Sequence, residues 1–154
     1  MNYLPEELRD YFSSSHFATY PKIVIPQSFQ DDRGLIINIA DGKLGDVAII
    51  HSIEGATRAN HVHETDWHLS YCVTGSLLYS YIEEGTAKFD IEIEPGDLFF
   101  TPAKIPHRME FSSDTILVVV SRNSRKSDKY EEDTMKFILE LNTAEKKGLH
   151  DHLS

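Results

Sequence analysis

Four histidines carry the most chemical information in this chain. His61 and His63 lie two positions apart, His68 follows shortly after, and His107 comes later, directly after Pro106. On an extended strand, residues two apart face the same side, so His61 and His63 point together. The intervening Glu64-Thr65-Asp66 reads as a turn that lets the chain come back, which can return His68 to the same pocket. Imidazole nitrogen suits borderline metals: Zn, Fe, Ni, Cu and, less well, Mn. A neutral imidazole is also a proton acceptor near physiological pH. The residues alone leave open whether His61 and His63 are bases or ligands, because both uses need the deprotonated ring. His16 and His51 lack such a setting. His150 and His152 lie in a polar tail, where solvated side chains are expected.

Something must position these rings. From Lys22 to Ser121 the chain runs in short segments rich in Val, Ile, Tyr and Phe, separated by Gly, Asp or Pro clusters. That punctuation predicts strands near 22–25, 35–40, 46–53, 57–63, 68–74, 76–82, 87–93, 98–101, 107–111 and 115–121. Many short antiparallel strands in one small chain hide their edges by closing into a barrel or jelly roll. Residues 4–12 predict a short helix, with Pro5 in its first turn and Ser13-Ser14-Ser15 as its stop. Residues 134–141 fit either a strand or a helix, and Asn142-Thr143-Ala144-Glu145 opens a last short helix ending at Gly148.

Bulk properties narrow the partners. A length of 154 residues suits one domain, with a barrel core at about 22–121 and a C-terminal extension over 122–154. The formal net charge of -10 repels nucleic acid and anionic lipid, so neither is expected as a partner. It does not exclude small anionic ligands, since a local Arg can reverse the potential inside a cleft. Cys72 is the sole cysteine, so no intrachain disulfide forms. The N-terminus lacks a basic segment followed by an apolar run, and no apolar stretch is long enough to span a bilayer. A cytoplasmic location is the expectation.

The segment GATRANHVHETDWHLSYCVTG resembles the first motif of the cupin superfamily, G-x5-HxH-x4-E-x6-G. Gly55, His61, His63 and Gly75 match, and His68 stands where the family usually has Glu. The second motif is recognisable in PGDLFFTPAKIPH, with Pro95-Gly96-Asp97 as its turn and His107 as its terminal ligand, although its usual closing Asn is not evident. The resemblance implies an all-β fold, the cupin double-stranded β-helix, with short N- and C-terminal helices. It implies a metal held by His61, His63, His68 and His107, a neutral ligand set that leaves the ion's charge uncompensated. It also implies a homodimer.

The chain is similar, more closely, to the sugar-nucleotide branch of cupins, the RmlC-like epimerases, 3,4-ketoisomerases and WxcM-like domains of polysaccharide synthesis. The likeness lies in Asp32-Arg33-Gly34, in Arg58-x-x-His61-x-His63, in Thr101-Pro102 with Pro106-His107, and in the tail through Tyr130-Glu131-Glu132-Asp133. This implies an isomerase or epimerase acting on a nucleotide-linked keto sugar, generally without metal. By that likeness His61 is the base, His63 a second acid/base and Arg58 the anion contact, with Tyr71, Tyr79 or Tyr81 as possible proton donors. Two departures stand against it: Asn60 replaces a Gly, and His68 replaces a residue that is often Gln. Four converging histidines without metal would repel when protonated and would each need a partner, which favours a bound divalent metal. The alternatives are a four-histidine metal cupin, such as an oxygenase, and a non-catalytic small-molecule-binding module. Asp66, Trp67, Lys104 and Arg108 are expected on the exposed rim, and Cys72 in the core.

Overall fold

The computed structural model describes residues 3–126 and 129–136. Eleven antiparallel strands are found among them. β1 (Gln27–Asp31) and β2 (Gly34–Asn38) form a separate hairpin. A four-stranded sheet has the order β3 (Asp46–Ser52), β10 (Thr115–Ser121), β5 (His68–Thr74) and β8 (Leu98–Thr101). A five-stranded sheet has the order β11 (Thr134–Lys136), β4 (Thr57–His63), β9 (His107–Phe111), β6 (Leu77–Ile82) and β7 (Lys88–Ile93). From β3 on, the strands alternate between the sheets as the chain advances, except that β6 and β7 form a hairpin within the five-stranded sheet; this is the cupin jelly roll. No helix among the described residues is long and apolar enough to cross a membrane.

The two sheets enclose one core. Cys72 from β5, Tyr79 and Tyr81 from β6, Phe99 from β8, Met109 and Phe111 from β9, and Leu117 and Val119 from β10 fill it. A second core lies outside the four-stranded sheet, where Leu8, Phe12 and Phe17 from the N-terminal segment pack on Leu69, Leu98, Phe100 and Val120. The sheet is thus covered on both faces, which explains why β8, Leu-Phe-Phe-Thr, is buried at every position. Each such apolar side chain contributes about 1.5–3 kcal/mol when removed from water.

Expected and observed elements agree closely from 34 onward. The differences fall at the termini. The predicted strand at 22–25 contributes only an isolated bridge, Lys22 to Phe99. The first strand is instead β1, whose Gln-Ser-Phe-Gln-Asp sequence has no strand alternation because it lies largely exposed in a hairpin. The predicted helix over 4–12 is replaced by one 3-10 turn, Glu6–Leu8, and a second, Ser14–Phe17, begins within the Ser13-Ser14-Ser15 run expected as a stop. Burial of Leu8, Phe12 and Phe17 on the sheet decides that path, not helical periodicity. Residues 134–136 are a strand, and a short helix α1 (Lys129–Asp133) precedes it. The helix expected over 142–148 lies outside the described residues.

Gly75, the closing glycine of the first motif, turns β5 into β6 with φ of 85°. A Cβ there would meet the Asp114 carbonyl oxygen and Thr115 Oγ1, both at 2.3 Å. Left-handed geometry and this collision act together. Gly75→Ala is therefore expected to destabilise the protein by about 2–4 kcal/mol, read as a lowered midpoint in denaturant titration. An unchanged midpoint would show that the turn tolerates a side chain.

Candidate metal centre

β4 and β9 are neighbours in the five-stranded sheet, and their register places His61 opposite His107. The pairing is interrupted between Ala59 and His61, and both Ala59 and Asn60 have positive φ, 64° and 62°. This bulge re-aims the strand just before His61. Asn tolerates the left-handed region, whereas Ala there is strained. Asn60 thus occupies a conformation that Gly usually supplies, which accounts for one departure from the sugar-nucleotide pattern.

The four rings come together. Ring centroids are 4.4 Å apart for His61 and His63, 4.8 Å for His61 and His107, 5.5 Å for His63 and His107, and 4.6 Å for His63 and His68. His63, His68 and His107 are buried and His61 is half-buried. Donor atoms of His61, His63 and His107 all lie within 4.8 Å of one another. His63, Asp66 and His68 form a second, overlapping group.

Hydrogen bonds separate the roles of these rings. The His107 Nδ1–H donates to the Ile105 carbonyl at 2.9 Å, which leaves Nε2 deprotonated. That Nε2 is buried and has no hydrogen-bond partner, and the same is true of His63 Nε2. A buried nitrogen without a partner is costly in an apolar barrel. Two such lone pairs converging with His61 fit a metal ion. His68 is different, because its Nε2 is paired with the Asp66 carboxylate at 3.0 Å. Asp66 is itself fully buried and accepts from the Asn123 backbone N–H at 2.9 Å. Position 68 is therefore part of a histidine–carboxylate pair beside the cluster.

A cavity of about 180 Å³ opens in front of His61, His68 and His107. Ile50, Met109, Leu117 and Val119 line its apolar wall, and Arg58 and Arg125 bring positive charge to it. Arg58 is held by Ser52 Oγ at 2.8 Å and the His51 carbonyl at 3.1 Å. Tyr79 and Tyr81 are packed in the core, with the Tyr79 hydroxyl donating to Thr101. The tyrosine at the cavity is Tyr130, from α1. Its only sequence signal was membership of the acidic, tyrosine-bearing tail.

The expected rim is partly corrected. Asp66 and Trp67 are buried, because β5 folds back under the N-terminal segment and the chain at Asn123 closes over Asp66. Lys104 and Arg108 behave as rim charges, paired with Glu64 and Glu110. Cys72 lies in the core. His51 is exposed, and His16 bonds Ser13 within a 3-10 turn. His150 and His152 lie outside the described residues.

A family model described as 3-hydroxyanthranilic acid dioxygenase matches residues 21–151. The chain belongs to this family. A 3-hydroxyanthranilate 3,4-dioxygenase of Danio rerio is 36% identical over 62 residues, which are 40% of this chain and 21% of that protein. Its counterpart in Xenopus laevis is 34% identical over 80 residues, 52% of this chain and 27% of that protein. The chain therefore spans about a quarter of the length of these curated relatives, 21% and 27%. Among solved structures, the fold is shared with the sugar 3,4-ketoisomerase QdtA of Thermoanaerobacterium thermosaccharolyticum in complex with TDP. The TM-score is 0.62 at 18% identity, covering 88% of this chain and 99% of that one. It is shared also with the capsular polysaccharide assembling protein CapF of Staphylococcus aureus, at a TM-score of 0.56 and 19% identity over 79% of this chain and 35% of that one. At these identities the likeness establishes the fold.

Burial pushes the His61 and His63 imidazoles down to about 4, helped by repulsion from His68, and pushes His107 well below its ordinary value. The folded protein thus keeps these rings neutral, while the unfolded chain takes up protons below about 6.5. Their contribution to stability is complete above that pH and is lost as the pH falls toward about 4. The denaturation midpoint of metal-free protein should drop between pH 7 and pH ~4.5. A midpoint independent of pH over this window would mean that the rings are not buried neutral.

Proposed function

We propose that this chain is a metal-dependent cupin enzyme of the ring-dioxygenase class, with the ion held by His61, His63 and His107. The observation that carries this reading is the pair of buried, partnerless Nε2 atoms of His63 and His107, in rings grouped with His61, beside a cavity that His61 and His107 line. Membership of the 3-hydroxyanthranilic acid dioxygenase family supports it. The proposed substrate is an aromatic ring bearing a carboxylate and adjacent amino and hydroxyl groups, as in 3-hydroxyanthranilate.

When bound, a redox-active divalent metal such as iron supplies the means to activate dioxygen, both atoms of which enter the ring-opened product. The chain's own residues do the rest. Three imidazoles held neutral by burial receive the ion without having to release protons. The Arg58 guanidinium, fixed by Ser52 and the His51 carbonyl, is placed to hold and orient a carboxylate. Ile50, Met109, Leu117 and Val119 exclude water from the ring's path. A volume of about 180 Å³ suits a single substituted ring, since a cavity of about 150 Å³ accommodates benzene.

A second reading keeps the sugar-nucleotide isomerase assignment. The half-buried His61 beside Arg58 on the cavity favours it, as a base next to an anion contact. A cavity of about 180 Å³ would then take the sugar while the nucleotide lay outside.

One set of measurements separates the readings. Anaerobic reconstitution with Fe(II) should give one equivalent bound, and oxygen uptake should follow addition of 3-hydroxyanthranilate. His107→Ala should weaken metal binding by at least about tenfold. No metal retention by the wild type, together with deuterium uptake into TDP-4-keto-6-deoxyglucose in deuterated water, would replace the first reading with the second. Arg58→Lys should raise KM for the carboxylate-bearing substrate about tenfold or more, because the bidentate geometry is lost; an unchanged KM would remove Arg58 from the site.

A further inference from the structure

The segment after the barrel returns to the site. β11 pairs with the outer edge of β4, with Thr134 opposite His63 and Lys136 opposite His61. The backbone N–H of Glu64 donates to the Asp133 carbonyl at 2.9 Å. The Asp133 carboxylate accepts from both the backbone N–H and the hydroxyl of Thr65 through Oδ1, and from the Asp66 N–H through Oδ2 at 3.1 Å. One carboxylate thereby clamps the turn between β4 and β5, the turn that lies between His63 and His68.

Thr134 touches the ring itself. Its Oγ1 lies 3.3 Å from His63 Nδ1 and 3.1 Å from the Tyr130 carbonyl oxygen. A hydroxyl has one proton. A carbonyl can only accept, so that proton goes to Tyr130, the residue four positions back. Toward His63, Thr134 must then accept, which places the ring's proton on Nδ1. Asp133 Oδ2, 3.7 Å from the same nitrogen, adds negative charge on that side. The opposite nitrogen, Nε2, is left as a buried lone pair without a partner.

We infer that Thr134 is a positioning residue of the metal centre: by accepting from His63 Nδ1–H it fixes the tautomer and rotation of that ring and turns Nε2 toward the ion. Asp133 supports it by holding the adjoining turn. The inference rests on the proposed metal site only in the use to which Nε2 is put. The tautomer itself is a property of the metal-free protein.

Two measurements on the full chain test it. Long-range proton–nitrogen correlation spectra of the histidine rings, recorded without metal, should show His63 protonated at Nδ1. Thr134→Val, which removes the acceptor at nearly constant volume, should give a mixture of tautomers. It should also weaken Zn(II) affinity by about 10–100-fold in chelator competition, whereas Thr134→Ser should stay close to wild type. A wild-type His63 protonated at Nε2, or undiminished Zn(II) affinity in Thr134→Val, would overturn the inference. If the wild type binds no Zn(II), the proposed function fails and the tautomer spectra alone decide the role of Thr134. If Thr134→Val does not fold, the wild-type spectrum and Thr134→Ser still decide it.

Discussion

Keeping imidazoles neutral and buried at the end of an apolar barrel is the constraint around which this structure is organised. Each ring has two nitrogens, one of them a donor, and a buried donor or acceptor without a partner costs roughly 1–3 kcal/mol. The fold supplies a partner for one nitrogen of each buried ring: the Ile105 carbonyl for His107, Thr134 for His63 and Asp66 for His68. What is left over is the pair of Nε2 lone pairs on His63 and His107. Their convergence is hard to reconcile with packing alone and gives the site its chemical direction.

Satisfying those rings draws on distant parts of the chain. His61 and His107 come from neighbouring strands of one sheet, but the partners of His63 and Asp66 come from beyond the last barrel strand. The bulge at Ala59 and Asn60 sets the approach of His61. The glycine at 75 lets β6 leave β5 and carry Tyr79 and Tyr81 into the core beneath the rings.

Much of this was legible in the sequence, for identifiable reasons. Short runs rich in Val, Ile, Tyr and Phe, set off by Gly, Asp and Pro turn clusters, located β2 through β10, because each strand is short and ends at a turn. The HxH spacing located His61 and His63 on one strand, and Pro106-His107 located the third ring. Asp66 was unreadable: a carboxylate within Glu-Thr-Asp looks solvated until Asn123 and His68 are seen to close on it. Asp133 stood in the tail that carried the likeness and Thr134 in a segment that fitted strand or helix, but neither role could be read, since both depend on a pairing between β11 and β4 that no local pattern announces. β1 escaped notice because an exposed hairpin strand needs no apolar face. His68, expected as a fourth ligand, lies 4.6 Å from His63 between ring centroids, and its bond to Asp66 arises only in three dimensions.

The pairing of β11 with β4 has a consequence for how the molecule matures. β4 would otherwise present an open row of backbone donors and acceptors at the margin of its sheet, beside the histidines. During synthesis that margin stays uncovered until residue 134 has left the ribosome. A chain cut before residue 134 would leave that edge open and His63 without Thr134 at the same moment. The last strand of the described chain thus does two things in one pairing: it covers the free edge of β4 and it sets Thr134 against His63.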